Sequence, residues 1–429
     1  MQVFVQSFGC STNFADGEVL TGCLAEAGYE IARSCATADV IIYNTCAVKG
    51  PTENRMIEIL KRVPKSKKLI VAGCLPLINF ERLEREVRFD GAVGPAAGDR
   101  IIEVVRHALK DEKVLALKGA DEAMPNLALP RIHLNPVISI IPINYGCLGS
   151  CAYCCVTFAR GKLRSYSVEE ITERLKKDLL QGMREVWLTS QDTACYGRDL
   201  GTNLAHLLDA VCSIKGDFKI RIGMMNPNNA KDFLKELIQT FQDEHVFKFL
   251  HLPLQSGDKE VLKNMRRFYS PEDFKSMMES FRTHLSKLTL STDVICGFPR
   301  ENENAFNRTL QLIQEVKPDI VNVSKFFARP RTVAAQMRDG LVSSRDIKLR
   351  TAKMVYLVKQ VALAKNQSWI DWTGEVLVDE VGKIPESFIG RNFAYKPIAI
   401  RSRRNLFGRT LTVRVIGAFS THLEGEVVE

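Results

Sequence analysis

No apolar run in this 429-residue chain reaches the roughly 18 residues that a membrane span needs. The opening segment, Met1 to Cys10, has neither a charged head nor a long apolar core, so no signal peptide is read there. The Cys151–Cys154 step has no second C-x-x-C half nearby, and a zinc site would need one to complete four ligands. Twelve cysteines in a chain of this length are not the dense framework of a small secreted domain. A reducing cytoplasm is the expected location, with no membrane attachment. What is present is ordinary for a globular protein, 45% hydrophobic and 25% charged. The length suggests roughly two to four domains. The net charge of +9 points weakly to a polyanionic partner.

The most informative stretch is Gly146-Cys147-Leu148-Gly149-Ser150-Cys151-Ala152-Tyr153-Cys154, a C-x-x-x-C-x-x-C loop directly after the apolar run from Val137 to Ile143. Three thiolates on one short loop can hold three irons of a cubane cluster, leaving one iron open to a small molecule. Cys155 adjoins Cys154, and neighbouring side chains do not readily reach two corners of one cube, so it is left out. A zinc site or buried thiols are the alternative. The pattern resembles the radical S-adenosylmethionine superfamily. That resemblance implies that the open iron chelates S-adenosylmethionine and that one electron splits its sulfonium.

Residues 1–110 alternate strands and helices. Val3–Val5, Val40–Asn44 and Leu69–Gly73 read as strands, Asp16–Ala27 and Thr52–Val63 as helices, an order that predicts a parallel α/β layer. Ligands collect at the carboxyl ends of such strands. Cys10, Cys46 and Cys74 each follow a strand, spaced 36 and 28 residues apart, as successive βα units would place them. They form either a second thiol triplet or three separate buried cysteines. Cys23 and Cys35 lack that position and read as structural.

Residues 111–136, with Pro125, Pro130 and Pro136, read as a linker. Six strands are then expected, at 138–143, 185–189, 219–223, 247–252, 288–295 and 319–326, with helical patterns between them. They suggest an incomplete (β/α)6 barrel over 137–366, with its chemistry at the carboxyl ends. Ser167 and Glu170 have the spacing of a capping box. Polar residues follow the strands at Ser190, Gln191, Gln255 and Ser256, and Lys325 and Arg329, at the end of the sixth, are candidates to meet RNA phosphate or nucleoside. For each, a polar loop cap and a ligand contact are equally open readings. His251 reads as a hydrogen-bonded strand residue, and Arg164 as an anion contact or a solvated charge.

From about Trp369 the character changes to alternating strands and glycine turns, a small β-barrel over 367–429. Residues 387–423 hold seven Lys or Arg and no acid, with Phe388, Phe393, Tyr395 and Phe407 interleaved. Such a face either binds nucleic acid or is a solvated surface over ordinary core aromatics.

The runs Gly9-Cys10-Ser11-Thr12-Asn13, Asn44-Thr45-Cys46-Ala47-Val48 and Gly73-Cys74, taken with the 147–154 loop, resemble the radical methylthiotransferase family in order and spacing. The closing Leu423-Glu424-Gly425-Glu426-Val427 resembles that family's TRAM RNA-binding module. The resemblance implies an overall α/β fold and two [4Fe-4S] clusters. One cluster would sit on Cys10, Cys46 and Cys74 and supply sulfur, and the other on Cys147, Cys151 and Cys154. It also implies two S-adenosylmethionine molecules per turnover and an electron-donor protein. Tyr153, Ser190, Gln191, Gln255 and Ser256 are its candidates near S-adenosylmethionine or substrate. Arg401, Arg403, Arg404 and Arg409 are its candidates for RNA phosphate.

Asp16-Gly17-Glu18, Leu188–Thr193 and Tyr196-Gly197-Arg198-Asp199 are similar to the archaeal and eukaryotic branch, which acts on N6-threonylcarbamoyladenosine at tRNA position 37. The eukaryotic members' carboxy-terminal membrane anchor is not seen, so an archaeal-type protein is expected. Another tRNA nucleoside, a ribosomal protein, or RNA binding without catalysis are the alternatives. The chain departs from the family at Gln191 (usually Glu), Asn228 (usually Pro), and Arg300 and Arg331 (both usually Gly). One of the two arginines is expected to meet the threonyl carboxylate or a tRNA phosphate.

Overall fold

The computed structural model describes residues 1–117 and 124–428. Its first layer is a wholly parallel sheet of β1 (Gln2–Ser7), β2 (Glu30–Ile31), β3 (Val40–Thr45), β4 (Lys68–Gly73), β5 (Gly91–Val93) and β6 (Val114–Ala116). The spatial order is β2-β1-β3-β4-β5-β6. All of β3 is buried, as expected for a strand covered on both faces. Helix α1 (Ser11–Glu26) follows β1, and α2 (Gly50–Lys61) follows β3. Nearly every side chain of α1 from Thr12 to Leu24 is buried, polar ones included, because the helix packs against both its own sheet and the next domain.

The stretch read as a linker is built into the fold. β6 adds the last strand, pairing Gly91–Val93 with Val114–Ala116. Beyond the undescribed residues, Leu127 enters the core of the second domain, and the Pro125 carbonyl accepts from the Tyr166 hydroxyl at 2.5 Å. Ile132 N donates to Glu18 O, and His133 lies between the Glu18 and Asp178 carboxylates at 3.3 and 3.6 Å.

The second domain has six parallel strands in sequential order: β7 (Ile138–Pro142), β10 (Glu185–Thr189), β11 (Lys219–Ile222), β12 (Phe249–His251), β13 (Thr289–Cys296) and β14 (Ile320–Lys325). They form two three-stranded groups, β7-β10-β11 and β12-β13-β14, joined by a parallel bridge between Ile220 and Val246. The result is the open barrel anticipated from the strand pattern. The two-residue strands β8 (Asn144–Tyr145) and β9 (Arg164–Ser165) pair antiparallel and pinch off the loop that carries Cys147, Cys151 and Cys154. Ser167 closes the expected capping box with Glu170.

The helix Ser344–Gln367 leads into a closed five-stranded barrel of β15 (Thr373–Val381), β16 (Ser387–Arg391), β17 (Pro397–Arg401), β18 (Thr410–Ala418) and β19 (Leu423–Val427), in the order β15-β16-β17-β19-β18. Trp369, Val376, Val378, Ile398, Ile400, Val413 and Leu423 fill it. It is anchored to the larger barrel by buried polar contacts. Lys396 Nζ donates to Asp319 Oδ1 at 2.7 Å and to Asn366 Oδ1 at 2.9 Å, and the Tyr395 hydroxyl donates to Glu185 Oε1 at 2.8 Å. Among the described residues no helix is long and apolar enough to cross a membrane.

Candidate active site

Cys10, Cys46 and Cys74 sit beyond β1, β3 and β4, which are adjacent strands, so their loops emerge side by side. A network of buried amides fixes them. Asn13 Nδ2 donates to Asn44 Oδ1 at 2.7 Å, Asn44 Nδ2 donates to Asn13 O at 2.6 Å, and Cys74 N donates to Thr45 O at 3.0 Å. Gly73 has φ +91°, and a Cβ there would meet Asn44 Oδ1 and Thr45 O at 2.5 Å, so only glycine lets Cys74 turn beside Cys46. The three thiols are near enough for their charges to act on one another. Burial pushes the Cys74 thiol up to about 12 and raises Cys46. Such thiols give up their protons when iron binds.

The second triplet is held by the β8–β9 clip. Gly146 has φ +74°, and a Cβ would strike Lys162 O at 1.9 Å, so the loop closes only over glycine. Gly149 leaves a cradle between sulfurs: a Cβ there would lie 3.3 Å from Cys147 Sγ and 3.7 Å from Cys151 Sγ. Contact with the Cys195 thiol lowers Cys147, whereas burial raises Cys151 and Cys154. Among the described residues no three His, Cys, Asp or Glu side chains converge on a single-ion site. A cubane presents its irons at separate corners, so its thiolates need not meet at one point. Soft donors in threes and a glycine cradle fit such clusters. Cys155 is buried among the first domain's apolar residues, its thiol 3.9 Å from Ala47 O.

Each triplet has a buried guanidinium beside it: Arg160, whose Arg160-Gly161 step after the loop resembles the family's, and Arg267, which the sequence did not single out. Arg160 (2% exposed) donates from Nη2 to Asp16 Oδ2 at 2.7 Å, and its charge acts on Cys74 and Cys10. Its Nη1 has no protein partner. Arg267 is likewise buried, its charge acting on Tyr153 and Cys151.

Between the two domains lies a cavity of about 240 Å³, lined by Val48 and Lys49 just after Cys46, by Tyr153, Cys154 and Cys155, and by Gln255, Asp293, Lys325, Phe327 and Arg329. Tyr153 reaches its wall and packs edge-on to Phe298 at 6.3 Å. Gln255 has φ +67° and a buried Oε1 without a partner. Gln191 bridges the domains, Nε2 donating to Thr12 Oγ1 at 3.4 Å, and its Oε1 is also unpartnered. Ser190 and Ser256 are used locally: their hydroxyls accept from Asp192 N and Asp258 N, and Ser256 is buried against Thr309. Arg164 Nη2 lies 3.5 Å from Arg160 O, inside the chain. His251 Nε2 lies 2.9 Å from Asp293 Oδ2, the hydrogen-bonded strand residue expected.

Arg300 and Arg331 are not at this cavity. Both have positive φ, +69° and +63°, the conformation glycine supplies without cost. Arg331 donates to Leu77 O at 2.5 Å and lies over Phe158, while Arg300 reaches Asn264 Oδ1 at 3.3 Å. The expectation that one of them meets the threonyl carboxylate or a phosphate is therefore replaced by local contacts. Arg401, Arg403, Arg404 and Arg409 are all exposed, on β17 and the loop after it. The interleaved aromatics are mostly structural. Tyr395 is buried against Phe247 and Phe249, and Phe393 packs on Trp369 and Trp372.

A parallel open barrel with a three-thiol loop after its first strand is the architecture of a radical S-adenosylmethionine enzyme. Residues 141–313 match the family model "Radical SAM superfamily", and residues 2–94 match "Uncharacterized protein family UPF0004". The chain is 39% identical to the "Probable threonylcarbamoyladenosine tRNA methylthiotransferase" of Pyrococcus abyssi, with 100% of both chains aligned. It is 35% identical to the "Threonylcarbamoyladenosine tRNA methylthiotransferase" of Drosophila melanogaster, covering 100% of this chain and 78% of the fly protein. The chain belongs to the threonylcarbamoyladenosine tRNA methylthiotransferase family. In fold it is similar to the radical S-adenosylmethionine methyltransferase TsrM of Kitasatospora setae, with a TM-score of 0.57 at 11% identity over 78% of this chain and 74% of that one. It is also similar to the cobalamin-dependent radical enzyme OxsB, with a TM-score of 0.53 at 12% identity over 81% of this chain and 56% of that one.

Proposed function

We propose that this protein converts N6-threonylcarbamoyladenosine at tRNA position 37 to its 2-methylthio derivative, using two S-adenosylmethionine molecules per turnover and two [4Fe-4S] clusters. The observation that carries the reading is the shared cavity. One wall is formed just after Cys46, by Val48 and Lys49, and the other contains Cys154, so a substrate there lies between the segments that carry the two thiol sets. Cys10, Cys46 and Cys74 hold one cluster, and Cys147, Cys151 and Cys154 hold the other. When bound, the first would supply sulfur and the second, with S-adenosylmethionine, would supply the radical chemistry that activates the substrate carbon.

The chain's own residues position and enclose. Tyr153 and Gln255, on the cavity wall, contact S-adenosylmethionine, and the unpartnered Gln255 Oε1 is an acceptor available to a ligand. Gln191 ties the barrel mouth to the first turn of α1 beside Cys10. Ser190 and Ser256 shape the strand-end turns. Arg401, Arg403, Arg404 and Arg409 hold tRNA phosphate through exposed positive charge. The protein works in the cytoplasm and takes its electrons from a donor protein.

The test is anaerobic. The reconstituted protein is given dithionite, S-adenosylmethionine, a sulfur source and tRNA carrying the threonylcarbamoyl nucleoside, and the digested nucleosides are weighed. A gain equal to one methylthio group replacing hydrogen is expected. Formation of 5′-deoxyadenosine with no mass gain would keep the radical site and remove this substrate. Neither product, from protein with both clusters verified, would point to RNA binding without catalysis.

A further inference from the structure

The cavity mouth carries more positive charge than the protein itself neutralises. Its lining includes Lys49, Lys325 and Arg329 but one carboxylate, Asp293. Arg329 is buried and paired with Glu53, and Asp293 is engaged by His251. Lys49 and Lys325 remain. Both are exposed, and among the described residues neither has a carboxylate within ion-pair distance. They come from different domains: Lys49 stands three residues after Cys46, and Lys325 ends β14. Both line the same cavity, where Lys49 Nζ donates to the hydroxyl of Ser324, next to Lys325 in the chain, at 2.7 Å. Phe327, 41% exposed, stands on the same wall, over Gly50 at the start of α2.

Two exposed ammonium groups without an ion-pair partner among the described residues, one of them hydrogen-bonded to Ser324 and acting on Asp293, and an open aromatic face suit a ligand that combines a carboxylate with a planar base. Adenosine bearing a threonylcarbamoyl group is such a ligand, whereas an adenosine with an uncharged N6 substituent lacks the anion. We propose that Lys49 and Lys325 bind the threonyl carboxylate and thereby select this nucleoside over uncharged N6-substituted adenosines, with Phe327 against the base. The inference rests on the function proposed above and assigns the residues that set its specificity. Selection comes from leaving the lysines unmatched when the wrong nucleoside enters: displaced water is then not replaced by an anion. S-adenosylmethionine and the tRNA backbone also carry anionic oxygens, so the test must separate three sources.

Anticodon stem-loop RNAs are made with position 37 as threonylcarbamoyladenosine or as its threonyl methyl ester, which keeps the shape and removes the charge. Their affinities are measured with the reconstituted full-length protein and with Lys49→Met, Lys325→Met and Lys325→Arg. The unsubstituted protein should favour the acid over the ester by about 10-fold or more. Each Met variant should lose most of that preference by weakening the acid form, and Lys325→Arg should keep most of it. Equal weakening of acid and ester would mean backbone phosphate is the anion, and a raised Kd for S-adenosylmethionine without RNA would mean its carboxylate is. Either result, or an unsubstituted protein that does not distinguish acid from ester, overturns the proposal. Failure of methylthio transfer to the acid RNA would instead overturn the parent function, and it is read independently of binding.

Discussion

Asp16 and Arg160 join the two domains through a pair of charges sealed from water, and breaking that pair tests the account of the interface. Arg160 Nη2 and the Tyr145 hydroxyl each donate to Asp16 at 2.7 Å, and Arg160 and Asp16 are 2% and 5% exposed. At an effective dielectric of about 20, charges about 4 Å apart attract by about 4 kcal/mol. Removing one partner also leaves the other charge buried, a loss of about 3–5 kcal/mol in comparable sites. Arg160→Met should therefore destabilise the protein by about that amount, and Asp16→Asn by a similar one. The double variant, with neither charge left, should fall well short of the sum, giving a coupling energy of about 3 kcal/mol. Anaerobic urea unfolding of the four proteins, followed by tryptophan fluorescence, measures the cycle. A loss under about 1 kcal/mol for Arg160→Met, or strict additivity, would show that the pair is not the interdomain tie described here.

Replacing Cys74 with Ala should lower the iron content from about eight to about four atoms per chain and spare the cluster on the other triplet, and Cys151→Ala should do the converse. Elemental analysis reads both, and loss of all iron from either variant would contradict independent triplets. Burial opposes charge on His133, but its contacts with Asp178 and Glu18 prevail and raise it to about 9. A raised folded pKa means that its stabilisation is full below the unfolded value of about 6.5 and is lost as pH rises through about 9, on the order of 3 kcal/mol in total. Unfolding free energies at pH 6.5 and 9.5 should show that decline, and His133→Gln should flatten it; an unchanged slope would refute the assignment. Changing Arg401, Arg403, Arg404 and Arg409 together to Ala should reduce the slope of log affinity for tRNA against log salt by about 3, one fraction of a charge per lost phosphate contact. An unchanged slope would place the RNA on another face.

Much of this architecture was readable in advance because its signals are local. Buried parallel strands such as Val40–Thr45 announce themselves as apolar runs, and the two cysteine triplets stand at fixed positions after strands. The strap at 124–136 was not readable. Its prolines mimic a linker, and only the distant partners Glu18, Asp178 and Tyr166 show that it is bound. Ser190 and Ser256 were left between two readings for a related reason: a serine at a strand end looks the same in sequence whether it faces a ligand or caps its own turn. Arg300 and Arg331 suggested added charge for a substrate, yet the glycine they replace served backbone conformation, which composition does not reveal. Lys49 carries no motif of its own. It matters because Ser324, 275 residues away in sequence, holds it at the mouth.

The small barrel is bolted to the larger one through Lys396, Asp319, Asn366, Tyr395 and Glu185, all buried or nearly so, instead of hanging from a flexible tether. Such a mount makes the span between its exposed arginines and the cavity a fixed length. Under the function proposed above, an RNA held by those arginines presents a set nucleotide at the cavity, and position along the strand is chosen by a ruler as well as by chemistry. Lengthening the helix Ser344–Gln367 would not simply slide that ruler, since the bolts on Asp319 and Glu185 would have to shear first.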